Sequence, residues 1–120
     1  MNFEEYSKQA DRTAQYPNKG SNLVYPAIKL AGEAGETADK IGKHWRNNHG
    51  DADPFWAMEV SSYSPDEKIE LIKELGDVLW YINALALELG TTLETVAQVN
   101  IAKLRDRAER GTINSSGDNR

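Results

Sequence analysis

"SPDEKIELIKELGDVLWYINALALELG", Ser64 to Gly90, decides the fold. Ser64 can cap a helix, Pro65 suits the first helical position because a missing N–H there costs little, and Glu67 completes a capping box. Apolar residues then recur at helical spacing through Ile69, Leu71, Ile72, Leu75, Val78, Leu79, Ile82, Leu85, Ala86 and Leu89, and Gly90 closes the run. The spacing predicts a helix over 65–89. It is apolar on more than one face, with Trp80 beside Leu79, so it needs partners on several sides.

Working outward, Thr91 with Glu94 forms a second capping box and predicts a fourth helix to about Arg110, with Leu93, Val96, Ala97, Asn100, Ile101 and Leu104 inward or nearly so. Upstream, Leu23 to Trp45 reads as a helix carrying Val24, Ala27, Leu30, Ala31, Ala34, Ala38 and Ile41, with Pro26 in its first turn. A first helix is expected from Asn2 to about Tyr16, broken by Pro17, Asn18, Lys19 and Gly20. Between the second and third helices lies a polar stretch, Arg46 to Ser64, punctuated by Gly50 and Pro54. It holds Phe55, Trp56 and Tyr63, with a short helical turn expected around Phe55 to Glu59; connections of this length are often binding loops. The tail from Gly111 to Arg120 is too polar and glycine-rich to be helical. Strand-like alternation is scarce and there is no internal repeat. The expected architecture is all-α, a bundle of four main helices in one domain spanning 1–120.

Composition narrows the function classes. The chain of 120 residues is 39% hydrophobic and 28% charged, which is globular rather than disordered. Its formal net charge of −5 argues against binding nucleic-acid backbone or anionic lipid without mediating cations. The absence of cysteine excludes disulfides and thiolate metal sites. The first residues, "MNFEEYSKQADR", have no signal-peptide pattern, and no apolar run approaches the roughly 20 residues that span a bilayer. A soluble, cytoplasmic protein is the expectation, with no nucleic acid and no membrane as partner.

The chemistry-bearing pattern is acidic. In "KLAGEAGETADKIGKHW", Lys29 to Trp45, Glu33 and Glu36 are three apart, which on a helix places them about 60° and roughly 4.5 Å apart, facing the same way. The third helix repeats the spacing in Glu74 and Asp77, with Glu70 one turn earlier and Leu75, Val78 and Leu79 crowding the pair. One such pair is usually a solvated face. Two pairs on long helices that should pack antiparallel are different, because clustered carboxylates repel unless a cation joins them. Helical bundles build metal sites in this way. Oxygen-only ligation favours Mg²⁺ or Mn²⁺ over zinc or copper, and neither His44 nor His49 follows a glutamate at the three-residue spacing of di-iron bundles. Gly32, Gly35 and Gly76 beside these carboxylates are expected to let the two helices approach closely, either for packing or to bring the pairs together. Lys103, Arg107 and Arg110 make a basic stripe on the last helix, which is either an ordinary solvated face beside Asp106 and Glu109 or a set of triphosphate contacts that Lys43 and Arg46 can join.

The stretches "LAGEAGETADKIGKHWR", "KELGDVLWYINALALELG" and "NIAKLRDRAERG" together resemble the successive motifs of the MazG-like all-α nucleoside triphosphate pyrophosphohydrolases, over well more than half the chain. That resemblance implies two or three Mg²⁺ ions, with Mn²⁺ able to substitute, held by Glu33, Glu36, Glu74 and Asp77. It implies cleavage of a nucleoside triphosphate between the α- and β-phosphates to a monophosphate and pyrophosphate. Glu33 is the choice for the base that deprotonates the attacking water. Asn100, Lys103 and Arg107 carry over as phosphate or nucleotide contacts, and the tail resembles a C-terminal segment of one branch of the family, with Asp118, Asn119 and Arg120 as candidates to fold back on the nucleotide. One departure is the 37 residues between Glu36 and Glu74, more than is usual for single-domain members. The excess is the Arg46–Ser64 stretch, where Trp56 is a candidate for stacking on a base.

The family branch points to purine deoxynucleotides such as dGTP, and to nucleotide-pool cleansing or, in a phage-encoded protein acting in the host cytoplasm, supply of a monophosphate precursor. The competing readings are another all-α phosphohydrolase, dUTPase-like or phosphoribosyl-ATP pyrophosphohydrolase-like, and a non-enzymatic helical interaction module. Apolar residues all round the third helix exceed what a four-helix monomer can cover, which predicts a homo-oligomer. The resemblance implies a dimer at least, and a tetramer built as a dimer of dimers.

Overall fold

A computed structural model of the chain describes residues 1–49 and 59–111. Four helices follow one another: α1 (Phe3–Asp11), α2 (Val24–His49), α3 (Pro65–Glu88) and α4 (Leu93–Glu109), with a 3₁₀ turn at Val60–Ser62 before α3. No strand occurs among the described residues. The all-α expectation therefore holds. Asp118, Asn119, Arg120, Phe55 and Trp56 lie outside the described residues.

The start and stop of α3 are those expected. Ser64 Oγ accepts from the Glu67 N–H at 3.1 Å, and the Glu67 carboxylate accepts from the Ser64 N–H at 3.2 Å. At the other end Gly90 adopts φ +73°, the left-handed conformation that favours glycine. The Gly90 N–H donates to Leu87 O and the Thr91 N–H to Ala86 O, each at 3.0 Å, so two carbonyls at the helix end are satisfied. This closure corrects the expected cap of α4. With the Thr91 N–H engaged in ending α3, Thr92 becomes the cap, its hydroxyl accepting from the Thr95 N–H at 3.1 Å. Glu94 instead accepts from Gln98 at 3.0 Å.

Helix α1 is shorter than its pattern suggested. Asn2 and Glu5 form a reciprocal cap at its start, but the helix ends at Asp11, not near Tyr16. The Thr13 N–H and hydroxyl both donate to Ala10 O, at 3.0 and 2.7 Å, which turns the chain away. Beyond that turn Tyr16 stacks on Tyr25 with ring centroids 5.1 Å apart. The Glu88 carboxylate, on the last residue of α3, accepts from the Tyr16 hydroxyl at 2.6 Å, the Gly20 N–H at 2.8 Å and the Asn22 N–H at 3.1 Å. These three bonds hold the Glu88 carboxyl below the usual carboxylate range, the Tyr16 bond contributing most. A lowered folded-state pKa stabilises the fold above the unfolded value of 4.5, and that contribution is lost as pH falls through the folded value. Glu88→Gln should therefore lower the melting temperature at neutral pH. Its deficit against the parent should shrink as the pH is taken below 4.5, measurable by thermal denaturation followed by circular dichroism.

Contacts run in opposite order along α2 and α3: Tyr25 meets Tyr81, Lys40 meets Glu74, and His44 meets Glu67. The two helices are thus antiparallel and form the principal pair, with α1 and α4 packed against α3 and each other. The less exposed stripe of α2 is Pro26, Leu30, Glu33, Thr37 and His44. Most of the apolar residues expected on its inner face do not lie there: Val24, Ala27, Ala31, Ala34, Ala38 and Ile41 are exposed, as are Val96 and Ile101 of α4. The glycines also differ from expectation. A Cβ built on Gly32, Gly35 or Gly76 would meet nothing within 4 Å, so within one chain none of them mediates a close helix contact.

The buried apolar residues are correspondingly small: Ala10, Ala84 and Ala86 with Leu93, alongside Pro26. Ile69, Ile72 and Leu75 of α3 are each more than half exposed. The radius of gyration is 17.6 Å, whereas a compact chain of this length would have about 14 Å.

Candidate metal centre

Antiparallel packing of α2 on α3 brings the two acidic pairs together. Carboxylate oxygens of Glu33, Glu36 and Glu74 all lie within 4.8 Å of one another. Glu33 and Glu36 sit three apart on α2 as the spacing required, and Glu74 reaches them from α3. Asp77, one turn further along α3, stands outside that group and is exposed, but its charge acts on Glu33 and both line one cavity.

The electrostatics are those of crowded anions, one of them buried. Glu74 is only 9% exposed, and its Oε2 is buried without a hydrogen-bond partner. Its Oε1 accepts from the Lys40 ammonium. Burial, followed by repulsion from Glu36, Asp77 and Glu74, pushes the Glu33 carboxyl above its ordinary value, against the pull of Lys29 at 3.8 Å. A buried carboxylate oxygen with no donor, on a residue clustered with other carboxylates, is a group that a cation would satisfy. The donor set is oxygen alone, which suits a hard divalent ion. On both counts the residues present fit such a metal.

Beside Glu33 and Asp77 opens a polar cavity of about 380 Å³ walled by Tyr16, Tyr25, Trp80 and Tyr81, with Thr13 and Gln15 at its edge. Trp80 Nε1–H donates to Thr13 Oγ1 at 2.8 Å, and Trp80 packs edge-on against Tyr81 with centroids 4.7 Å apart. Burial first, then Tyr25 and the carboxylates, push the Tyr81 hydroxyl up to about 12, so it stays protonated and can donate. A larger cavity of about 600 Å³ lies at the first turns of α1 and α4. Its charged groups are Glu4, Lys8 and Glu94, of which Glu4 and Lys8 pair with each other at 2.6 Å, so it gathers no converging chemistry.

The basic candidates fall elsewhere. Lys43, one turn past Asp39, pairs with it at 2.6 Å, and Arg46 is exposed further along α2. Asn100 and Lys103 line a cavity of about 400 Å³ with Thr91, Thr95, Val96 and Val99, which shares no residue with the cavity beside Glu33. Arg107 is buried, in line with Leu93, Ala97 and Leu104 on the inner side of α4, so the basic stripe is not a uniformly solvated face. Arg110 pairs with Asp106 at 2.8 Å.

Sequence reasoning missed Lys40 and the tyrosine wall. Lys40 had a signal, since it lies one turn past Glu36 on the acidic face. The wall did not, because Tyr16 reaches it only through the contact with Glu88 at the far end of α3.

Residues 27–112 match the MazG nucleotide pyrophosphohydrolase domain family. The chain is also 38% identical, over 125 aligned positions covering 100% of each chain, to the Gene 37 protein of Mycobacterium phage L5. No solved structure matches it.

Proposed function

Since the chain belongs to the MazG nucleotide pyrophosphohydrolase family, we propose that it hydrolyses nucleoside triphosphates, purine deoxynucleotides such as dGTP foremost, to the monophosphate and pyrophosphate. The observation that carries the reading is the approach of Glu33, Glu36 and Glu74 within 4.8 Å, with one oxygen of Glu74 buried and unpartnered. Glu33, Glu36, Glu74 and Asp77 hold Mg²⁺ in this reading. Held by these residues, Mg²⁺ would supply charge neutralisation at the phosphates and a lowered pKa for water. Glu33, the carboxylate of the cluster that also lines the cavity, takes the proton of the attacking water. Tyr16, Tyr25, Trp80 and Tyr81 offer flat aromatic surface for the base next to the cluster.

Asn100, Lys103, Arg107 and Arg110, with Lys43 and Arg46, are assigned to the triphosphate. The cavity lined by Asn100 and Lys103 is separate from the one beside Glu33 within a single chain, so these two are assigned to it in the assembled protein. The assembly is a homo-oligomer, a dimer or a tetramer built as a dimer of dimers, because Ile28, Ile41, Ile69, Ile72 and Leu75 of the α2–α3 pair are exposed. No helix among the described residues is long and apolar enough to cross a membrane. The phage relative supports action in a host cytoplasm, on nucleotide pools or in supplying a monophosphate precursor.

The test is a panel of ribo- and deoxynucleoside triphosphates, including dUTP, incubated with Mg²⁺ and resolved by chromatography. The expected products are monophosphate and pyrophosphate, with turnover abolished by EDTA and restored by excess Mg²⁺ or Mn²⁺. Release of diphosphate and orthophosphate, or turnover undiminished in EDTA, would overturn the reading.

A further inference from the structure

Lys40 is a cation of the chain's own that reaches the acidic cluster and bonds Glu74. We propose that Lys40 is an internal counter-ion that holds Glu74 while no divalent cation is bound and passes to Glu70 when one arrives. This rests on the metal-centre reading above.

Lys40 lies on α2 one turn past Glu36, on the face that carries Glu33. Its ammonium donates to Glu74 Oε1, while the other oxygen of Glu74 has no partner. A carboxylate only 9% exposed needs a positive neighbour, and Lys40 supplies it. A divalent cation shared by Glu33, Glu36 and Glu74 would sit about 2.1 Å from their oxygens. An ammonium bonded to Glu74 and near enough to Glu36 for their charges to interact repels the incoming charge. Metal and Lys40 therefore compete for Glu74.

The structure also holds the seat that Lys40 would move to. Glu70 lies one turn before Glu74 on α3, and its Oε2 is 4.0 Å from the Lys40 ammonium. The other oxygen, Oε1, is engaged by Lys73 at 2.6 Å, so Oε2 is the oxygen on offer. A lysine stem has enough rotatable bonds to make that swing without moving either helix. Lys43, on the next turn, is held by Asp39 at 2.6 Å and is not in competition for Glu74, which makes it the matched charge control.

The experiment is calorimetric titration of the full chain with MnCl₂ in the absence of nucleotide, alongside melting curves without metal. Lys40→Met should lower the metal-free melting temperature and tighten Mn²⁺ binding about ten-fold, whereas Lys43→Met should change affinity less than two-fold or so. Glu70→Gln should weaken Mn²⁺ binding in the parent chain and have no effect beside Lys40→Met. If Lys40→Met does not fold, Lys40→Gln keeps a donor to Glu74 without the charge and carries the same expectation. Parent protein that binds Mn²⁺ with no tightening in either Lys40 variant, or an equal Glu70→Gln effect in both backgrounds, would overturn the handover alone. Parent protein that binds no Mn²⁺ would overturn the metal centre as well.

Discussion

Glu74→Gln should reduce triphosphate turnover by about 10³-fold or more, with helix content unchanged. The size follows from what a carboxylate ligand does. Stabilisation of transition-state charge by a bound metal amounts to several kcal/mol, and about 4 kcal/mol corresponds to about 10³ in rate. Glu74 is the residue whose loss should remove most of that. It is the buried member of the cluster, so no water can stand in for its charge as it can for exposed Glu36. The amide keeps an oxygen to accept from Lys40, so packing of α2 on α3 should survive. Steady-state assay at saturating Mg²⁺ with circular dichroism on the same sample checks both halves. Activity within ten-fold of the parent, in a variant with unchanged helix content, would remove Glu74 from the metal site.

The second large effect concerns assembly. Ile72 is 63% exposed in the first half of α3, between Ile69 and Leu75, in a chain whose buried apolar residues among those described are mostly alanines. Burying one such side chain in an interface contributes about 2 kcal/mol, and a two-fold axis presents it twice. Ile72→Asp should therefore weaken self-association by at least about 10³-fold. In sizing with light scattering the parent should run as a dimer or tetramer, and the variant as a smaller species that melts at lower temperature. A parent protein that is monomeric at micromolar concentration would contradict the assembly reading outright.

Much of the fold was legible because it is written in local chemistry. Ser64, Pro65, Glu67 and Gly90 bound α3 through contacts within a few residues, and the structure has them as the pattern required. The pairing of Glu33 and Glu36 with Glu74 was legible for a related reason: helical geometry and antiparallel packing leave few other places for those groups. What escaped depends on distant residues or on shared atoms. Helix α1 stops at Asp11 in a turn that Thr13 closes on Ala10, and the chain beyond it is held by the bond of Tyr16 to Glu88, far along the chain. The cap of α4 moved from Thr91 to Thr92 because one N–H cannot serve two turns. The inner stripe of α2 misled because Glu33 and Thr37 lie on it while Val24 and Ile41 face out, on the surface that the proposed assembly would cover.

Glu88 has one more consequence. By gathering Tyr16, Gly20 and Asn22 at the end of α3, it fixes the wall of the cavity beside the carboxylates before anything enters. The entropy of ordering that connection is therefore settled during folding and not at the moment of binding. Such a wall selects by fit, in the manner of a mould rather than a closing hand. Ligands that differ only in their base should differ chiefly in how long they stay bound and little in how fast they arrive.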